Sequence, residues 1–126
     1  MQPMKWPEAE ARIRVQIIAG STAILKCDGV RRRPVTSNTA VSIGMQTGVT
    51  TKQTKTITYR MLRHAFEVLQ TKGRFDSGDF RLKFENEYIA APCRYSMTGG
   101  ILVEIEAATL VRGLSEGCYY LKPTGG

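Results

Sequence analysis

Ser96-Met97-Thr98-Gly99-Gly100-Ile101-Leu102-Val103-Glu104-Ile105-Glu106-Ala107-Ala108-Thr109-Leu110-Val111 is the stretch whose period decides the fold. Read with a helical period, Ser96 caps a helix that turns Met97, Ile101, Leu102 and Ile105 inward. Read with a period of two, Ile101, Val103 and Ile105 oppose Leu102, Glu104 and Glu106, and Ile101 to Val111 is a strand. Gly99-Gly100 weighs against the helix, at about 1 kcal/mol per glycine relative to alanine. Both readings close on the same feature. Thr109 to Arg112, the turn Gly113 to Gly117, and Cys118 to Lys122 form a terminal hairpin.

Upstream, Met61, Leu62, Ala65, Phe66 and Leu69 recur at three- and four-residue spacing and predict a helix, capped by Thr56 or Thr58 and stopped by Gly73. Asp76-Ser77-Gly78-Asp79 starts a second, with Phe80, Phe84 and Tyr88 on one face. Phe80, Leu82 and Phe84 also alternate with Arg81, Lys83 and Glu85, so a strand competes there, and the helix is preferred. Pro92 breaks the chain before the deciding stretch.

Toward the N-terminus the period is two. Ile13, Val15 and Ile17 alternate with Arg12, Arg14 and Gln16, which reads as a half-buried strand with a basic outer face. Thr22 to Cys27 is a second apolar run, Asp28-Gly29 a two-residue hairpin signal, and Arg31-Arg32-Arg33 follows at once. Pro34 makes the third run an edge strand or a strand end, because proline cannot donate to a ladder. A fourth strand around Ala40 to Ile43 completes a meander, and Gly44 to Thr56 reads as a linker or exposed strand. The expected class is α+β: an N-terminal antiparallel β meander over residues 1–56, then a small helical unit over 57–126 ending in a β-hairpin. The two are separate units or one continuous domain over 1–126.

The charge is segregated between those parts. The first 56 residues hold nine Lys/Arg against three Asp/Glu, and the remaining 70 hold nine against eight, so nearly all of the net +7 lies in the first part. A local positive field of this kind attracts phosphates or acidic proteins. Arg12, Arg14, Lys26, Arg31, Arg32, Arg33, Lys52 and Lys55 are the candidate phosphate contacts, and such binding is mainly independent of sequence.

Taken as helix, helix, Ser-capped helix and Gly-bounded hairpin, residues 57–122 resemble a winged helix-turn-helix domain in element order and length. The resemblance implies that the third helix enters a DNA major groove, with Arg94, Tyr95, Ser96 and Thr98 near its N-terminus and Arg112 at the wing. Glu104 and Glu106 depart from it, since they carry negative charge toward a polyanion.

Chemistry beyond binding has little support. Cys27, Cys93 and Cys118 are widely spaced with one histidine to join them, so no zinc site is expected. Asp76 and Asp79 stand where carboxylates cap helices. Neither Gly44-Met45-Gln46-Thr47-Gly48 nor Thr98-Gly99-Gly100 has the lysine of a phosphate loop. No apolar run follows Lys5 as a secretory signal would, and none has membrane-spanning length. The expectation is a cytoplasmic, non-enzymatic module without cofactor or metal that binds nucleic acid, DNA in particular. The alternative is a protein-interaction or assembly module that docks an acidic partner or pairs strands in a homodimer. A small enzyme using Cys93 or His64 trails both.

Overall fold

The computed structural model describes residues 3–46, 53–112 and 117–122. The fold is α+β, with a four-stranded antiparallel sheet, then helices, then a small three-stranded sheet. The chain opens with helix α1 (Trp6–Gln16), which replaces the strand expected from Arg12 to Ile18. The alternation misleads because Ile13 and Ile17 also lie one helical turn apart. With Ala9 they are buried, while Val15, the residue between them, is 73% exposed. Pro7 stands in the first turn, where its missing N–H costs nothing. Glu8 and Glu10 each sit one turn ahead of an arginine, closing Glu8–Arg12 at 2.7 Å and Glu10–Arg14 at 2.9 Å. The Asn38 amide then donates to the Ile13 and Ile17 carbonyls at 3.3 and 2.8 Å, satisfying acceptors at the helix end.

Strands β1 (Ala23–Leu25), β2 (Arg32–Asn38), β3 (Ser42–Gln46) and β4 (Thr54–Thr58) pair in sequence order. The fourth-strand expectation holds as an element, displaced toward Gln46. Of the two readings of Gly44 to Thr56, linker or exposed strand, the strand holds for the described residues, which supply the end of β3 and most of β4, paired from Ser42–Thr58 to Gln46–Thr54. Residues 47–52 lie outside the described segments. Gly44 in β3 leaves room for the Ser37 hydroxyl, which a Cβ there would approach to 2.6 Å. Pro34 does not mark a sheet edge, since β2 is an inner strand. It sits at a handover, where pairing with β1 covers Arg32 to Pro34 and pairing with β3 begins at Val35.

Helix α2 (Tyr59–Lys72) follows β4 directly. The Thr58 hydroxyl accepts from the Met61 N–H at 3.1 Å, and Gly73 closes the helix at φ 83. Strand β5 (Arg74–Phe75), absent from the sequence reading, leads to α3 (Ser77–Lys83) and α4 (Glu85–Ala90). These bear out the preferred helix for that region, divided at Phe84. Helix α5 (Cys93–Glu104) settles the deciding stretch: Ile101 to Glu104 is helical and the strand starts only at Ala108. Pro92 occupies the cap position, so Ser96 lies inside the helix rather than capping it. Strands β6 (Ala108–Val111) and β7 (Cys118–Leu121) form the expected hairpin, and with β5 they make a sheet of order β5-β7-β6. Its turn, residues 113–116, lies outside the described segments.

Helix α5 runs between the two sheets, which explains its glycine pair. A Cβ on Gly100 would stand 2.6 Å from the Leu25 carbonyl of β1, and one on Gly99 would collide with the Tyr119 ring of β7. The buried side chains form a single cluster, joining Ile13, Ile24, Val35 and Ile57 to Leu62, Phe66, Phe75, Tyr95, Ile101 and Tyr119. β4 itself spans residue 56. Among the described residues, no helix is long and apolar enough to cross a membrane.

Candidate functional site

The turn between β1 and β2 is where the two ends of the chain bring cations together. It has a four-residue tip, Cys27 to Val30, closed by the Lys26 N–H on the Arg31 carbonyl at 2.8 Å, so the two-residue turn expected at Asp28-Gly29 is widened. Gly29 adopts φ 73, a conformation glycine takes at little cost. Asp28 organises the rest. Its carboxylate accepts from the Val30 N–H at 2.8 Å, the Arg31 N–H at 2.9 Å and the Arg31 Nε at 2.7 Å. The Val30 N–H first, then the Arg31 side chain and backbone, hold the Asp28 carboxyl well below the usual carboxylate range.

Arg112, just past the end of β6, lies over this tip. Its side chain is so close to Gly29 that a Cβ there would stand 2.7 Å from Arg112 Cδ. Gly117, before β7, approaches in the same way: its Cβ would meet the Cys27 carbonyl at 2.7 Å. Lys26, Arg31 and Arg112 therefore border the turn, and Arg32 follows at the start of β2, paired with Leu25. Arg31 and Arg32 are exposed. Arg32 donates to the Ala23 carbonyl at 3.2 Å, which uses one of its donors. Arg33 donates to the Arg32 carbonyl at 3.1 Å and, with Lys26, lines a small cavity under β1, on the face opposite Arg32.

The remaining candidates are dispersed. Arg12 and Arg14 stand on α1 rather than on a sheet face. Beyond its glutamate, Arg12 reaches the Ile105 carbonyl at 3.1 Å; Arg14 reaches the Thr39 and Ala40 carbonyls at 3.2 and 3.0 Å and lies 4.0 Å over the Tyr59 ring. Lys55 is half-buried on β4 opposite Met45. Lys52 lies outside the described residues. The four residues assigned to a reading helix are turned into the protein. Arg94 donates to the Thr56 carbonyl at 2.9 Å and the Glu87 carbonyl at 3.0 Å. Tyr95, Ser96 and Thr98 are buried. The Tyr95 hydroxyl donates to the Gly117 carbonyl at 2.7 Å, the Ser96 hydroxyl accepts from the Cys27 N–H at 2.7 Å, and the Thr98 hydroxyl donates to the Arg94 carbonyl at 2.7 Å. Both sheets pack on α5 where a major groove would have to fit.

Two of the cavities border the candidate residues. The one beneath β1, lined by Lys26, Arg33, Cys93, Ser96 and Met97, holds about 20 Å³, the room of a single water. A wider groove of about 350 Å³ runs past Arg14, Tyr59, Arg60, Phe84 and Glu87, away from the basic tip. Burial pushes the Tyr59 phenol up. His64 packs edge-on to Phe84 at 5.5 Å, with Nε2 3.4 Å from the Asp79 carbonyl oxygen. Asp28 and Gly29 are the site residues that sequence reasoning took only as a turn. The signal was present in an aspartate placed to accept from the amides two and three residues on. No protein-family model, no characterised protein sequence and no solved structure matches this chain.

Proposed function

We propose that the protein binds nucleic acid through its phosphates, at the tip between β1 and β2, and that α5 takes no part in reading bases. The observation that carries this is Arg112 lying over Gly29, which adds a cation from the C-terminal hairpin to the arginines of the N-terminal one. Exposed guanidinium groups at a fixed turn can pair with phosphate in a bidentate manner, and each contact releases counterions. Asp28 offsets part of the local charge, so Arg32 and Arg112 are the principal contacts, with Arg31 and Lys26 beside them.

The test is duplex binding by fluorescence anisotropy over a salt series. Three to four phosphate contacts give a log–log salt slope of about −3 to −4. Replacing Arg32 and Arg112 together by Ala should weaken binding to all sequences alike and flatten the slope by about 2, with thermal stability nearly unchanged. Absence of binding at low salt sinks the reading. The interaction-module alternative draws on Val111, which is 45% exposed on β6, the last strand of its sheet. It predicts a concentration-dependent dimer in sedimentation, or capture of an acidic peptide, in place of nucleic-acid binding.

A further inference from the structure

The basic tip also carries an apolar side chain that the packing leaves outside. Val30 is 72% exposed, although its N–H is held by Asp28 and Arg31 and Arg32 follow it directly. We infer that the partner is duplex DNA and that Val30 presses into the minor groove, with Arg31 and Arg32 along its walls and Arg112 on an adjoining phosphate. This rests on the phosphate-binding reading above.

The choice among nucleic acids follows from what the surface presents. Major-groove reading needs an accessible helix or ribbon, and the residues of α5 from Tyr95 to Leu102 are buried. Single strands are held by stacking bases on exposed aromatic rings. Among the described residues the exposed aromatic is Tyr120, which pairs with Arg74 and Thr109 in the second sheet, while Tyr95 and Tyr119 are buried. What the tip offers is a β-branched apolar side chain beside arginines. Minor-groove proteins use that combination, with the apolar group opening a base step while arginines follow the narrow, strongly negative groove. Two hydrogen bonds to Asp28 fix the backbone of Val30 and Arg31 in advance and a third holds the Arg31 Nε, so little ordering cost falls on binding.

The experiment titrates the full chain against an end-labelled duplex of about 25 base pairs, a length whose bending is measurable by energy transfer. The same strand unpaired, vesicles of phosphatidylserine with phosphatidylcholine, and netropsin as a minor-groove competitor complete it. Val30→Ser should bind the duplex about tenfold more weakly and lose the induced bend, with the salt slope unchanged. Val30→Leu should retain both, and netropsin should displace the wild type. If Arg32 and Arg112 prove necessary while Val30→Ser and netropsin change nothing, the groove contact is wrong and the phosphate reading stands. Tighter binding to the single strand or to the vesicles overturns the choice of duplex. No binding to any nucleic acid overturns both.

Discussion

Asp76 and Asp79 show how a pair of carboxylates is committed to structure. The Asp76 side chain accepts from the Asp79 N–H and the Asp79 side chain from the Asp76 N–H, each at 3.0 Å, a reciprocal box at the start of α3. Burial pushes the Asp76 carboxyl up, but the Asp79 N–H, Arg74 at 2.6 Å and the Asp79 side chain outweigh it, so the group sits below its ordinary value. The folded pKa is the lower one. The stabilisation is therefore full above the unfolded value of about 3.9 and is lost as pH falls from there through the folded pKa. Asp76→Ala should cost about 1 kcal/mol at neutral pH in urea denaturation. The gap from wild type should close on acidification below about pH 4, and a gap that widens instead would refute this account. This cap was legible, because its residues are neighbours in sequence. Arg112 against Gly29 was not, since no local pattern tells a side chain which distant turn it will cover.

At the scale of elements, the ends of the chain mislead where two periods coincide and inform where only one fits. α2 was readable because five apolar residues at helical spacing, a threonine cap and a terminal glycine agree. Phe66, 2% exposed and 5.8 Å from Trp6, should cost roughly 3 to 5 kcal/mol as Phe66→Ala in chemical denaturation. A loss under about 1 kcal/mol would place that face outside the core. α1 was misread because seven residues of alternation fit a strand as well as a helix, and only tertiary burial of Ala9 and Ile13 decides. α5 was open for another reason. Its glycines look like helix breakers until β1 and β7 are known to press on them. Gly99→Ala would gain about 1 kcal/mol in an isolated helix. Here the Tyr119 ring occupies the space, so the same change should destabilise by roughly 1 to 3 kcal/mol. A stabilised Gly99→Ala variant would show that α5 is not gripped from that side.

For the whole molecule, the continuity of the core predicts one transition. Trp6 reports on the contact between α1 and α2, and circular dichroism reports on all the helices. Urea curves from the two probes should coincide. Separated midpoints would show that residues 1–56 and 57–126 unfold as distinct units. Charge segregation was legible at this scale from counting alone, but where the cations converge depends on the chain's return to its own beginning, which composition does not encode. The bond from Arg94 to Thr56 has a consequence of another kind. β4 is the outermost strand of its sheet, and a bare outermost strand is a template on which further chains can add and grow into fibrils. By holding the Thr56 carbonyl, the Arg94 guanidinium removes one acceptor from that template. The guanidinium expected at the head of a reading helix thus lies against a sheet edge instead. On prolonged incubation at high concentration, Arg94→Ala should develop thioflavin fluorescence well before the wild type, although both start from the same fold.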